Sequence, residues 1–137
     1  MKKYELTEET VTVYGKTLYR IRAVRDFGSV KTGEFGGYIE KEENLSHFGN
    51  AWVSGNAEVF NTMHFFVQGP IGSRNGFITF YRTKDDTVEV RCGCFSGSLQ
   101  EFVNQVEETH GGSRYEKEYK LAAELAKVCI RLEGESR

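Results

Sequence analysis

The chain has 137 residues, 39% hydrophobic and 13% aromatic with a single proline, which allows one compact domain or two small units sharing a core and excludes a disordered chain. Its formal net charge of −2 is evenly spread, with 8 Lys+Arg against 9 Asp+Glu in residues 1–63 and 10 against 11 in residues 64–137. That balance excludes a basic nucleic-acid-binding arm or an acidic DNA mimic and argues against direct nucleic-acid binding.

No apolar run nears the roughly 18 residues of a membrane-spanning helix, and the first residues lack the apolar stretch of a signal peptide. Three cysteines (Cys92, Cys94, Cys129) form no disulfide framework. A cytoplasmic protein with reduced thiols and no membrane partner is expected.

Residues 3–14 alternate apolar and polar around Thr7-Glu8-Glu9-Thr10, and Tyr14-Gly15-Lys16-Thr17 reads as a second turn. An antiparallel meander is expected, with its third strand over 17–24. In that strand Tyr19, Ile21 and Ala23 share one face and Leu18, Arg20, Arg22 and Val24 the other. Arg20 and Arg22, with Arg25 nearby, form the one basic cluster; they are either a binding patch or a solvated face paired with glutamates.

Residues 26–48 are dense in glycine and end in Asn44-Leu45-Ser46-His47-Phe48, a degenerate approach to the motif that follows. Residues 49–60 read GNAWVS and then GNAEVF: the hexapeptide G-N-A-x-V-x written twice. This period marks a β-solenoid. With the approach segment it amounts to three or four imperfect rungs, about one coil, and so predicts a short β-solenoid fragment. Phe48, Trp52 and Phe60 recur there, either filling the core or offering an apolar face to a partner.

From Met63 the period changes. Residues 64–68, 77–82 and 88–94 read as three strands, joined by a glycine-rich loop at 69–76 and a tight hairpin at 83–86. Two helices follow, opened by the capping boxes Ser98-Leu-Gln-Glu101 and Ser113-Arg-Tyr-Glu116. Leu99, Phe102, Val103 and Val106 recur at helical spacing before His110-Gly111-Gly112 closes the first. The second, over 114–132, carries Tyr115, Tyr119, Ala122, Leu125, Ala126, Cys129 and Leu132 on its apolar side. The expected fold class is α+β, with a β-rich unit over 1–62 and an α+β module over 63–137.

Gly72-Ser73-Arg74-Asn75 sits between two strands, where amides, a hydroxyl and a guanidinium could receive a phosphate or carboxylate. It is no P-loop, since Gly-Lys-Ser/Thr is missing and a strand follows. Cys92 and Cys94 would share one face at a strand end, with His110 as the one histidine able to activate a thiol; the alternative is a pair of small buried apolar side chains. No zinc spacing and no cofactor motif is present. The loops at 69–76, 93–98 and 111–114 are expected to gather at one edge, with Arg114 at a helix start where anions collect. No catalytic constellation stands out, so a non-enzymatic protein is expected.

Residues 18–30 (LYRIRAVRDFGSV) and 36–46 (GGYIEKEENLS), running into the G-N-A-x-V repeats, resemble a family of phage and prophage hexapeptide-repeat proteins, polymer-forming or β-helix-like. Residues 69–75 (GPIGSRN), 92–102 (CGCFSGSLQEF) and Thr109-His110-Gly111 resemble the C-terminal module that follows those repeats. Relatives carry many more units, and here Asn61-Thr62-Met63 replaces the next one. The resemblance implies a phage-borne accessory protein in the bacterial cytoplasm that binds and inhibits a defence component, as an anti-CRISPR does. The alternatives are a protein that sequesters a nucleotide signal and a phage structural or assembly protein. Expected partners are a host defence protein or a nucleotide, with a homodimer as a further option.

Overall fold

The computed structural model describes residues 2–45, 47, 51–74, 76–93 and 95–133. Among these residues the fold is α+β, with two four-stranded sheets and two α-helices. The first sheet has the order β1 (Tyr4–Val13), β2 (Lys16–Ala23), β3 (Phe35–Ile39), β4 (Glu58–Val59). Tyr14 and Gly15, at φ 51° and 77°, make the two-residue turn that sets Val13 opposite Lys16, as a turn with two left-handed centres requires.

The expected turn at Thr7–Thr10 does not form. Strand β1 runs straight through it, and the register slips: Leu6 faces Ile21 while Thr10 faces Tyr19. The surplus residues bulge, and the Thr7 hydroxyl donates to the Arg20 carbonyl at 2.8 Å, satisfying an acceptor that a bulge would otherwise leave open. The expected three-stranded meander is thus one long irregular hairpin.

Nor do the described residues stack as solenoid rungs. The hexapeptides bury their inward positions, with Ala51, Val53, Ala57 and Val59 all at 0% exposure. Their carbonyls serve β3: Val53, Ala57 and Val59 accept from the amides of Gly37, Tyr38 and Glu40 at 2.9–3.0 Å. Only Glu58–Val59 of the second copy becomes a strand, parallel to β3. Both copies dock on the free edge of a strand already paired with β2, instead of on each other. The approach is close, since a Cβ at Gly36 would lie 2.7 Å from the Trp52 ring and one at Gly37 2.6 Å from the Ala57 Cβ.

The second sheet is antiparallel with the order β5 (Phe65–Ile71), β6 (Gly76–Arg82), β7 (Val88–Cys92), β8 (Phe95–Ser98), one strand more than the three expected. The fourth hides in the Phe-Ser-Gly-Ser stretch before the first helix. It pairs Phe95 with Cys92 and Ser98 with Glu89 across the turn at Gly93, φ +59°. Because β5 extends to Ile71, the glycine-rich connection shrinks to 72–75. Helices α1 (Leu99–His110) and α2 (Arg114–Cys129) cover one face of this sheet.

Strand β6 explains how the layers join. Ile78 and Phe80 pack with Phe102, Val106, Tyr119 and Ala126 beneath the helices. Between them, Thr79 accepts a hydrogen bond from the Trp52 amide at 3.2 Å and Tyr81 enters the core of the first unit. Alternation across the strand thus places the second sheet between the first unit and the helices. Trp52 and Phe60, at 1% and 8% exposure, belong to this interior and not to a partner surface; Phe48 lies outside the described residues.

The first capping box forms as expected, with Ser98 and Glu101 each bonding the other's backbone amide. The second does not: Ser113 Oγ donates to the His110 carbonyl, and Glu116 accepts from the Gly112 amide. On α2 the buried face is Tyr119, Ala122, Ala123 and Ala126, while Leu125, expected inside, is 46% exposed. Small alanines seat the helix close to the sheet and turn the leucine outward.

Candidate functional site

Three segments of the second module meet a loop of the first around a cleft of about 440 Å³. Gly28, Ser29 and Val30 form one wall. Ile71, Ser73, Arg74, Gly76, Phe77 and Ile78 come from the β5–β6 hairpin, Arg91, Cys92 and Gly93 from the end of β7, and His110 and Tyr119 from the helices.

The hairpin loop is pinned by α2. Gly72 takes φ +81° and donates its amide to Glu118 Oε1 at 2.8 Å. Tyr119 lies directly beneath, so that a Cβ at Gly72 would overlap its hydroxyl. Burial raises the Tyr119 phenol above its ordinary range, with Ser73 hydrogen bonding in opposition. Beyond this anchor the Arg74 guanidinium is exposed and makes no hydrogen bond or ion pair with any described residue.

Arg91 stands on a built support. Its Nε donates to the Gly93 carbonyl at 2.9 Å and its Nη2 to Ser29 Oγ at 2.8 Å, while Ser29 Oγ donates to the same carbonyl at 2.8 Å. This latch ties the loop after β2 to the tip of β7. The loop itself is shaped by a two-way bridge, Phe27 amide to Val30 carbonyl at 3.0 Å and the reverse at 2.8 Å. His110 closes the end of α1 with its ring centroid 5.4 Å from that of Tyr119.

Among the described residues the cleft is therefore cationic without a counter-charge: two guanidiniums line it and no described carboxylate does. Hydroxyls of Ser73 and Tyr119 add polar groups, the Ser29 O–H being committed to the Gly93 carbonyl, and Val30, Ile71, Phe77 and Ile78 give apolar wall. Such a set can hold an anion with an apolar or planar body.

Of the residues singled out from sequence, Ser73, Arg74 and His110 come together here with Cys92, and Gly72 supports them. Asn75 and Cys94 lie outside the described residues. The others are elsewhere. Arg20 pairs with Glu9 at 3.1 Å and covers the Phe35 ring, and Arg22 pairs with Glu5, so both sit on a strand face matched to glutamates. Arg114 is exposed over Tyr115, 3.9 Å from Glu118, and does not line the cleft. Sequence reasoning gives Ser29, Phe77 and Arg91 no site role and places Tyr119 only on the apolar side of α2; of these Arg91 alone carries a signal, as the outward cation in Val-Glu-Val-Arg-Cys. Among the described residues no three His, Cys, Asp or Glu side chains cluster as metal ligands, and no helix is long and apolar enough to cross a membrane.

No protein-family model matches the chain, and neither the curated proteins nor the solved structures contain a significant match.

Proposed function

We propose that this protein is a non-enzymatic binder of a small phosphorylated organic anion of the nucleotide-signal class, held in the cleft between Ser29, Arg74 and Arg91. The observation that carries this reading is a cleft of about 440 Å³ lined, among the described residues, by two arginines and no carboxylate, within the size range of small-molecule sites. Native mass spectrometry of freshly purified protein, followed by calorimetric titration with a nucleotide panel, tests it. A retained phosphorylated compound is expected, and Arg74→Ala should weaken its binding at least tenfold. Absence of binding across the panel would overturn the proposal.

A second reading, a protein inhibitor of a bacterial defence component, is favoured by a different feature. Leu121, Leu125 and Val128 are 64%, 46% and 73% exposed along the outer face of α2, a spacing suited to docking against a protein surface. Its phage-borne, anti-CRISPR-like setting in the host cytoplasm rests on the family resemblance alone, as does an assembly role. In either reading the doubled hexapeptide keeps the inward Ala and Val positions of a β-solenoid repeat.

A further inference from the structure

We infer that the cleft selects ligands carrying two phosphate groups, one received at Arg74 and one at Arg91. The inference rests on the anion-binding reading above and adds to it the charge and arrangement of the ligand.

The two cations come from different elements and have separate supports. Arg91 spends Nε and one Nη2 hydrogen on neutral oxygens, Gly93 O and Ser29 Oγ, leaving its other N–H groups for an incoming acceptor. These bonds orient the guanidinium without neutralising it. Arg74 extends from a loop fixed by Glu118 and Tyr119 and gives none of its donors to a described residue. Glu118, the carboxylate that reaches this loop, is occupied by the Gly72 amide and lies 3.9 Å from Arg114.

Ser29 holds Arg91 in place while its own hydroxyl hydrogen goes to the Gly93 carbonyl, and Ser73 precedes Arg74 in the pinned loop. A guanidinium with several N–H groups turned to an acceptor is a phosphate-sized donor set. Two such sets in one cleft leave a singly charged ligand with one set unmatched.

Calorimetric titration of the full chain with three adenine probes tests this: cyclic AMP with one negative charge, ADP with adjacent phosphates, and cyclic di-AMP with separated ones. At least one two-phosphate probe should bind roughly tenfold to a hundredfold more tightly than cyclic AMP, the worth of one further charge-assisted contact. Arg74→Gln and Arg91→Gln should each reduce that preference to near unity while affecting cyclic AMP less. Ser29→Ala, which keeps the cation and removes its latch, should give an intermediate loss and covers the case in which Arg91→Gln fails to fold. Equal affinity for all three probes would overturn the two-phosphate inference and leave the anion site standing. Binding of none of them, with no effect of the Arg74 or Arg91 changes on any retained compound, would overturn both.

Discussion

Replacing Gly72 with alanine tests whether the β5–β6 loop is held as described. Two independent costs arise. The residue sits at φ +81°, a left-handed conformation that charges a side-chain-bearing residue roughly 1–2 kcal/mol. The new Cβ also overlaps the Tyr119 hydroxyl. Tyr119 has nowhere to swing: it is 8% exposed, edge-on to Phe102 at 5.9 Å and 5.4 Å from the His110 ring. Overpacking of that kind costs about 1–3 kcal/mol, so the sum is roughly 2–5 kcal/mol. At about 2–4 °C per kcal/mol for a chain of this size, the thermal midpoint should fall by about 4–20 °C.

Gly76→Ala is the matched control, on the same hairpin at ordinary φ with nothing within 4 Å of a built Cβ. It should change stability by about 0.5 kcal/mol or less. Thermal unfolding followed by circular dichroism, with urea titration to check that the m value is unchanged, reads both variants. A Gly72→Ala midpoint within about 1 °C of the parent, or an equal loss in Gly76→Ala, would refute the pinned-loop account.

Two pH responses follow from buried basic groups. His64, 1% exposed, donates from Nε2 to Glu133 at 2.7 Å and accepts the Phe60 amide at Nδ1, and burial holds its pKa below the ordinary 6.5 despite the carboxylate. Below pH 6.5 the unfolded chain takes up a proton that the folded chain resists, so stability should fall with pH from 6.5 down to the folded pKa. His64→Gln should flatten that slope in urea titrations between pH 8 and 5; an unchanged slope would refute it. Lys3, fully buried with Nζ on the Ala51 carbonyl at 2.5 Å, has its pKa lowered from 10.5 to about 8, by burial first and by Arg25 second. Between pH 8 and 10 the folded chain releases this proton before the unfolded one does, so stability should rise there. Lys3→Met should remove the rise, and a parent profile that already falls across that window would contradict the assignment.

What could be read from sequence was local. Tyr14-Gly15 carries the turn that closes the first hairpin, and Ser98 with Glu101 opens α1, because a turn or a cap is settled within a few residues. Where local signals competed with pairing, pairing won. Thr7-Glu8-Glu9-Thr10 has turn-like polarity, yet β2 offers a continuous edge, and a bulge with one Thr hydroxyl bond absorbs the surplus. Phe95–Ser98 reads as loop because glycine and serine carry little strand signal, while β7 supplies the partner that makes it β8. The site divided in the same way. Ser73 and Arg74 stand next to a glycine that marks a special backbone, and could be found. Ser29 and Arg91 are 62 residues apart, and nothing in either segment alone indicates that they meet.

That meeting gives the doubled hexapeptide a structural use the repeat itself does not suggest. Its first copy contributes Trp52, whose ring stands edge-on to Phe27 at 5.4 Å and lies above Gly36, where any side chain would collide. Phe27 is in turn bridged in both directions to Val30. Between those two residues Gly28, at φ +52°, and Ser29 form the turn that reaches Arg91 and Gly93. The repeat therefore backs one wall of the cleft through a continuous series of contacts, from Trp52 to Phe27 to Ser29 to Arg91. Close packing passes a displacement along such a series. Shrinking Trp52 should therefore loosen the Ser29–Arg91 latch and the anion site it supports, although Trp52 does not line the cleft.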